Sequence, residues 1–173
     1  MKETEVKIFN INKEEIEEKL ISLGAKKVFD DEVESLYFDF PNNSIRDRKQ
    51  TLRLRKMGNK AFLTFKNTIS NDSAKIRDEV EIEVSDFEKT RNILKALGLS
   101  EWLKTRKHRT SYKLKDARFE IDKYYDEYDF IPEFLEIETD NVKTLYKYVE
   151  LLGFKREDCK PWTILDFIRQ HNK

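Results

Sequence analysis

The sequence predicts an α+β fold in which about eight strands form a closed antiparallel β-barrel, with amphipathic helices packed on its outside. Three observations point there. Apolar and charged residues alternate at period two in eight segments, three helical stretches end in the same Leu-Gly pair, and 173 residues hold only 4 glycines and 3 prolines. So few breakers leave little room for a linker, and one domain over residues 1–173 is expected.

The first helix opens at Asn12, with Glu15 three residues on as in a capping box, carries Ile16, Leu20 and Leu23 as a stripe, and closes at Gly24. The second runs from Asp86 through Phe87, Leu94 and Leu97 to Gly98, and the third from Asp140 through Val142, Leu145, Val149 and Leu152 to Gly153. A fourth, over 163–171, spaces Ile164, Phe167 and Ile168 as a C-terminal docking helix. Strands are expected at 4–10, 35–40, 50–56, 61–67, 77–84, 104–114, 118–124 and 134–139. The polar stretch 67–76, with Asn71, Asp72 and Ser73, reads as a loop able to cover a site.

Charge excludes several functions. With 34 Lys+Arg against 34 Asp+Glu the net charge is zero, although 39% of residues are charged, so a generic nucleic-acid or anionic-membrane binder with its basic excess is not expected. No apolar run approaches the roughly 20 residues of a membrane span, and Met1-Lys2-Glu3-Thr4-Glu5 has no apolar signal core; a soluble, cytoplasmic protein is expected. The single Cys159 excludes an internal disulfide, and His108 and His171 alone make no zinc constellation.

The alternate strand positions are charged, and the sign is sorted by strand. Glu3, Glu5 and Lys7 share one face of the first strand; Arg53 and Arg55 alternate with Leu52 and Leu54; Glu79, Glu81 and Glu83 alternate with Val80, Ile82 and Val84. Lys66 follows Thr64 by two, Lys107 pairs with Arg109, Glu120 with Asp122, and Glu136 with Glu138. A one-sided antiparallel sheet would merely solvate such faces. Helices that claim the apolar faces turn the charges inward if the sheet closes, and a charged lining is costly unless it holds a charged ligand. Both signs then suggest an anion on Arg and Lys and a cation such as Mg²⁺ or Mn²⁺ on carboxylates, a pairing suited to a polyphosphate and its metal. No P-loop, dinucleotide fingerprint or hydrolase triad occurs.

Glu3-Thr4-Glu5-Val6-Lys7 resembles the Glu-x-Glu-x-Lys signature of the CYTH superfamily, the triphosphate tunnel metalloenzymes. The rest follows in family order: Leu36-Tyr37-Phe38-Asp39, Thr51-Leu52-Arg53-Leu54-Arg55, Leu63-Thr64-Phe65-Lys66, Arg77-Asp78-Glu79-Val80-Glu81, Lys107-His108-Arg109-Thr110-Ser111-Tyr112, Asp122, and Phe134-Leu135-Glu136-Ile137-Glu138. The resemblance implies an eight-stranded tunnel that binds a triphosphate (tripolyphosphate, ATP or another organic triphosphate) with Mg²⁺ or Mn²⁺. It implies Lys7, Arg53, Arg55, Lys66, Arg77, Lys107 and Arg109 as substrate ligands. It also implies Glu3, Glu5, Glu79, Glu81, Asp122, Glu136 and Glu138 as the acidic, metal-binding side, with Glu5, Glu136, Glu138 and Lys107 catalytic; Glu83 and Glu120 read as peripheral. A triphosphatase is favoured, and a class IV-type adenylyl cyclase or an inactive nucleotide- or polyphosphate-binding module is the alternative. Phe130-Ile131-Pro132 stands where Gly-Leu-Gly is common in cyclase-like relatives, and Ser35-Leu36 replaces a polar pair, departures that bear on base recognition.

Overall fold

The computed structural model describes residues 2–70 and 74–171. Its eight strands are β1 (Lys2–Phe9), β2 (Lys26–Asp39), β3 (Gln50–Met57), β4 (Lys60–Ser70), β5 (Lys75–Val84), β6 (Ser100–Leu114), β7 (Ala117–Tyr124) and β8 (Phe134–Thr139). They close into an antiparallel barrel in the order β1-β5-β4-β3-β2-β6-β7-β8. Five helices intervene: α1 (Lys13–Ser22), α2 (Ser44–Asp47), α3 (Phe87–Ala96), α4 (Val142–Leu151) and α5 (Ile164–His171). None of the described helices is long and apolar enough to cross a membrane.

The repeated Leu-Gly endings have one geometric cause. After α1, Gly24 sits at φ +86° and donates to Ile21 O at 2.9 Å while Ala25 N reaches back to Leu20 O, which caps the orphan carbonyls of the last turn. The same paired bonds follow α3 at Gly98 and α4 at Gly153. At the other end, Asn12, Asp86 and Asn141 accept from Glu15 N, Lys89 N and Thr144 N. The third cap is therefore Asn141, one residue later than the expected Asp140.

Helices cover the barrel unevenly. Ile16 and Leu20 of α1 and Leu145 and Val149 of α4 seal Val6, Ile8, Phe119, Ile121, Leu135 and Ile137, the outward faces of β1, β7 and β8. Leu94 of α3 and Ile45 of α2 cover Leu36, Phe38 and Leu54 on β2 and β3. With their apolar sides committed outward, these strands point their charged sides into the barrel.

Four expectations change. The second strand starts at Lys26 because a ladder to β6 holds it, although residues 26–32 are largely exposed on both faces and show no period-two signal. The sixth likewise begins at Ser100, not 104. The short α2 is nucleated by Asp39, 2% exposed, which accepts from the backbone N–H groups of Phe40, Ile45 and Arg46. The expected loop at 67–76 is strand at 67–70 and 75–76, while Asn71, Asp72 and Ser73 lie outside the described residues.

Candidate active site

Inside the barrel the lining is sorted along the axis. A narrow chamber of about 70 Å³ is lined by seven cations, Lys7, Arg53, Arg55, Lys66, Arg77, Lys107 and Arg109, against three carboxylates, Glu5, Glu136 and Glu138. Tyr37, Tyr124, Phe134 and the start of α5 (Ile164, Leu165) also line that end. Phe134, Tyr124, Ile164 and Phe167 form a small core there, so α5 docks as expected, across the end of the barrel. The other end widens into a cavity of about 650 Å³ in which Arg53, Arg55, Lys66, Arg109 and Glu138 meet Glu3, Glu79, Glu81, Glu120 and the β6–β7 hairpin.

Most of these charges are paired. Lys7 Nζ lies 2.8 Å from Glu136 Oε2, Arg77 Nη2 2.5 Å from Glu5 Oε2, and Lys66 Nζ 2.9 Å from Glu3 and 2.6 Å from Glu79. Asp122, fully buried, is gripped by Arg109 through Nε (2.7 Å) and Nη2 (2.6 Å) and by Lys107 (2.6 Å), while Arg109 also reaches Glu120. Glu81 accepts from Arg55 at 2.9 Å and from Thr64 Oγ1 at 2.7 Å. Burial alone would raise these carboxyls, but Lys66 and Arg77 hold Glu3 down to about 2, and Arg77 and Lys7 hold Glu5 low.

Two groups stand out as unsatisfied. Among the described residues Arg53 makes no ion pair, and the Nε atoms of Arg53, Arg55 and Arg77 are buried without an acceptor. Glu138 also makes no ion pair among them. Burial, reinforced by Glu120, Glu3 and Glu136, pushes its carboxyl well above the usual range. The tunnel thus offers bare cationic donors at one end and a carboxylate without a counter-charge beside them. Burial and neighbouring Arg109 meanwhile push Lys107 down to about 8, where it can hold or release a proton near neutrality.

Glu138 belongs to both groups of converging carboxylates, Glu3–Glu5–Glu138 and Glu120–Glu136–Glu138, whose oxygens lie within 4.8 Å of one another. Hard oxygen donors at this spacing, one lacking a counter-charge, fit a divalent cation such as Mg²⁺ or Mn²⁺. Glu79, Glu81 and Asp122 fall in neither group and are occupied by cations instead. Glu120, read from the sequence as peripheral, is 2% exposed and in the second group, because the β7–β8 register sets it opposite Glu136. Glu83 sits at the exposed rim of the same β5 face, paired with Lys60, and lines neither cavity. Lys75, 2% exposed, was not singled out by any sequence signal.

A closed eight-stranded antiparallel barrel with a charge-sorted tunnel and external helices defines the class of protein. The model for the CYTH domain matches residues 1–158, and the chain belongs to the CYTH family. A Methanocaldococcus jannaschii protein that carries the provisional name adenylate cyclase is 34% identical over 122 residues, 70% of each chain. Two solved archaeal structures share the fold. One, from Pyrococcus horikoshii, is 31% identical with a TM-score of 0.77, over 93% of this chain and 96% of its own. The other, a conserved hypothetical protein from Pyrococcus furiosus, is 30% identical with a TM-score of 0.78, over 95% and 98%.

Proposed function

We propose that the chain is a Mg²⁺- or Mn²⁺-dependent triphosphatase that holds the terminal phosphoryl group of its substrate in the narrow cationic chamber. Lys7, Arg53, Arg55, Lys66, Arg77, Lys107 and Arg109 bind the phosphate oxygens, and the bare Arg53 and the orphan Nε atoms are free to do so without breaking an existing bond. Glu3, Glu5, Glu136 and Glu138, joined by Glu120, hold the metal. A bound divalent ion there neutralises phosphate charge and acidifies water. Asp122 is a positioning residue that fixes Arg109 and Lys107, and Glu79 and Glu81 do the same for Lys66 and Arg55.

In hydrolysis, water attacks the terminal phosphorus, the bridging P–O bond breaks toward the shorter product, and the water proton leaves for a basic group. Lys107, held near 8, is mostly protonated at neutral pH, so it binds phosphate and gives its proton to the departing oxygen. The cationic chamber carries this reading. Its seven cations outnumber its three carboxylates, so the deepest bound unit is the most highly charged one, the end of the phosphate chain. The second reading, an adenylyl cyclase, draws on the name of the Methanocaldococcus relative.

Tripolyphosphate, thiamine triphosphate and ATP, each incubated with Mg²⁺ or Mn²⁺, separate the two. Orthophosphate as the product agrees with the proposal, whereas cyclic AMP with pyrophosphate from ATP replaces it with the cyclase.

A further inference from the structure

The outside of the barrel is apolar even where no helix covers it. Helices α1 and α4 seal β1, β7 and β8, and α2 and α3 seal β2 and β3, which leaves much of the β4–β5 ladder bare among the described residues. Three consecutive cross-strand pairs there, Ala61 with Val84, Leu63 with Ile82 and Phe65 with Val80, carry no charge, because Glu79, Glu81 and Glu83 alternate with them and take the opposite face. Leu63 and Val84 reach the edge of the α3 core, but Val80 and Ile82 are 62% and 55% exposed, with Phe65 beside them.

The strip continues onto α3. Arg91 and Lys95 tie one flank of that helix to Glu101 at the start of β6, so the opposite flank, with Ile93 and Leu97 four residues apart, turns toward β4 and stands exposed. Ile69, at the bulge in β4, extends it further. Phe65, Ile69, Val80, Ile82, Ile93 and Leu97 are six of the eleven large apolar side chains exposed among the described residues, and a single scattered Leu or Ile would need no explanation where six on one side do.

Their fractional exposures amount to about 600 Å² of apolar surface, at the upper limit of the largest patch on an ordinary monomer. A specific dimer takes about 800 Å² from each partner, apolar at the centre and polar at the rim. The rim is present, since Asn67 and Asp78 form the next outward pair of the ladder and Glu88 and Lys89 lie exposed on the first turn of α3.

We infer that this face is a two-fold interface, at which a second copy of the chain packs the same strip of β4, β5 and α3 against the first. An isologous contact uses one surface twice, so an uncharged strip meets its own complement without stranding a charge. The charged sides of β4 and β5 still point into the tunnel, and each protomer keeps a complete site.

Sedimentation equilibrium of the full chain tests it. Wild type should sediment at twice the chain mass of 20.9 kDa at micromolar concentration. The double variant I82K/I93K sets lysines against lysines across the axis and should raise the dimer dissociation constant at least about a hundredfold, with L97K raising it about tenfold. These side chains are exposed in the single chain, so circular dichroism and melting at dilutions where every form is monomeric should not change. The double variant I21K/L151K, on exposed positions of α1 and α4 away from the strip, should leave the dimer intact. A wild type that stays monomeric at about 100 μM, a dimer that survives I82K/I93K and L97K, or one that I21K/L151K dissociates instead overturns the interface. Tripolyphosphate binding, measured on the monomeric variant, should persist, which keeps this inference separate from the reading of the tunnel.

Discussion

The two ends of the tunnel are built from the same eight strands yet differ in what satisfies their charges. At the narrow end, charge is locked. Asp122 is fully buried beneath Arg109 and Lys107, and Glu136 pairs with Lys7 at 2.8 Å. At the wide end, charge is loose, with Glu81 partly exposed against Arg55 and Lys113 facing Arg118, while Glu138, without a cation, lines both chambers. The lesson is that identical alternation along a strand yields both structural ion pairs and groups left for a ligand, and that Arg53 and Glu138, which line both chambers, are of the second kind.

That contrast is most sharply tested by breaking the locked end. Replacing Asp122 with Ala strands two buried cations and should cost about 3–5 kcal/mol, read by urea denaturation. Retained stability would show that the narrow end is no more rigid than the mouth. Arg53→Ala should do the reverse. It removes a guanidinium with no ion partner, so tripolyphosphate affinity should fall by about 1.5–3 kcal/mol, while melting of the ligand-free protein is unchanged or raised.

A third test uses pH. Lys107 is held down to about 8, below its ordinary value of about 10.4. The folded state gives up this proton first, so between about 8 and 10.4 the unfolded chain binds more protons, and stability from this group rises with pH in that window. Tripolyphosphate affinity should fall over the same rise as a cation is lost, and Lys107→Met should remove both effects relative to wild type. The smallest change belongs to the mouth. Glu81→Gln weakens a partly exposed pair with Arg55 and should cost under about 1 kcal/mol. A larger loss would make the mouth as structural as the narrow end.

Much of this was legible in the residues. Alternation placed Lys7, Arg53, Arg55, Lys66, Lys107 and Arg109 on shared faces, and the structure brings all six to one chamber. Depth within the barrel was not legible. Glu120 and Glu83 both sit on acidic faces, but strand register puts one opposite Glu136 deep in the barrel and the other at the exposed rim with Lys60. Residues 26–32 escaped because a ribbon exposed on both faces has no apolar period, and α2 escaped because four residues organised by one buried carboxylate leave no stripe. The placement of α5 across one end depends on aromatic packing of Phe134, Tyr124 and Phe167 across three separate elements, which no local pattern encodes.

The central claim is that the locked, cationic end holds the terminal phosphoryl group for attack by water. Hydrolysis of tripolyphosphate with Mg²⁺ or Mn²⁺ in ¹⁸O-labelled water, followed by mass spectrometry of the products, tests it directly. The account predicts the label in orthophosphate and unlabelled pyrophosphate; label in pyrophosphate, which requires attack on the central phosphorus, would contradict it.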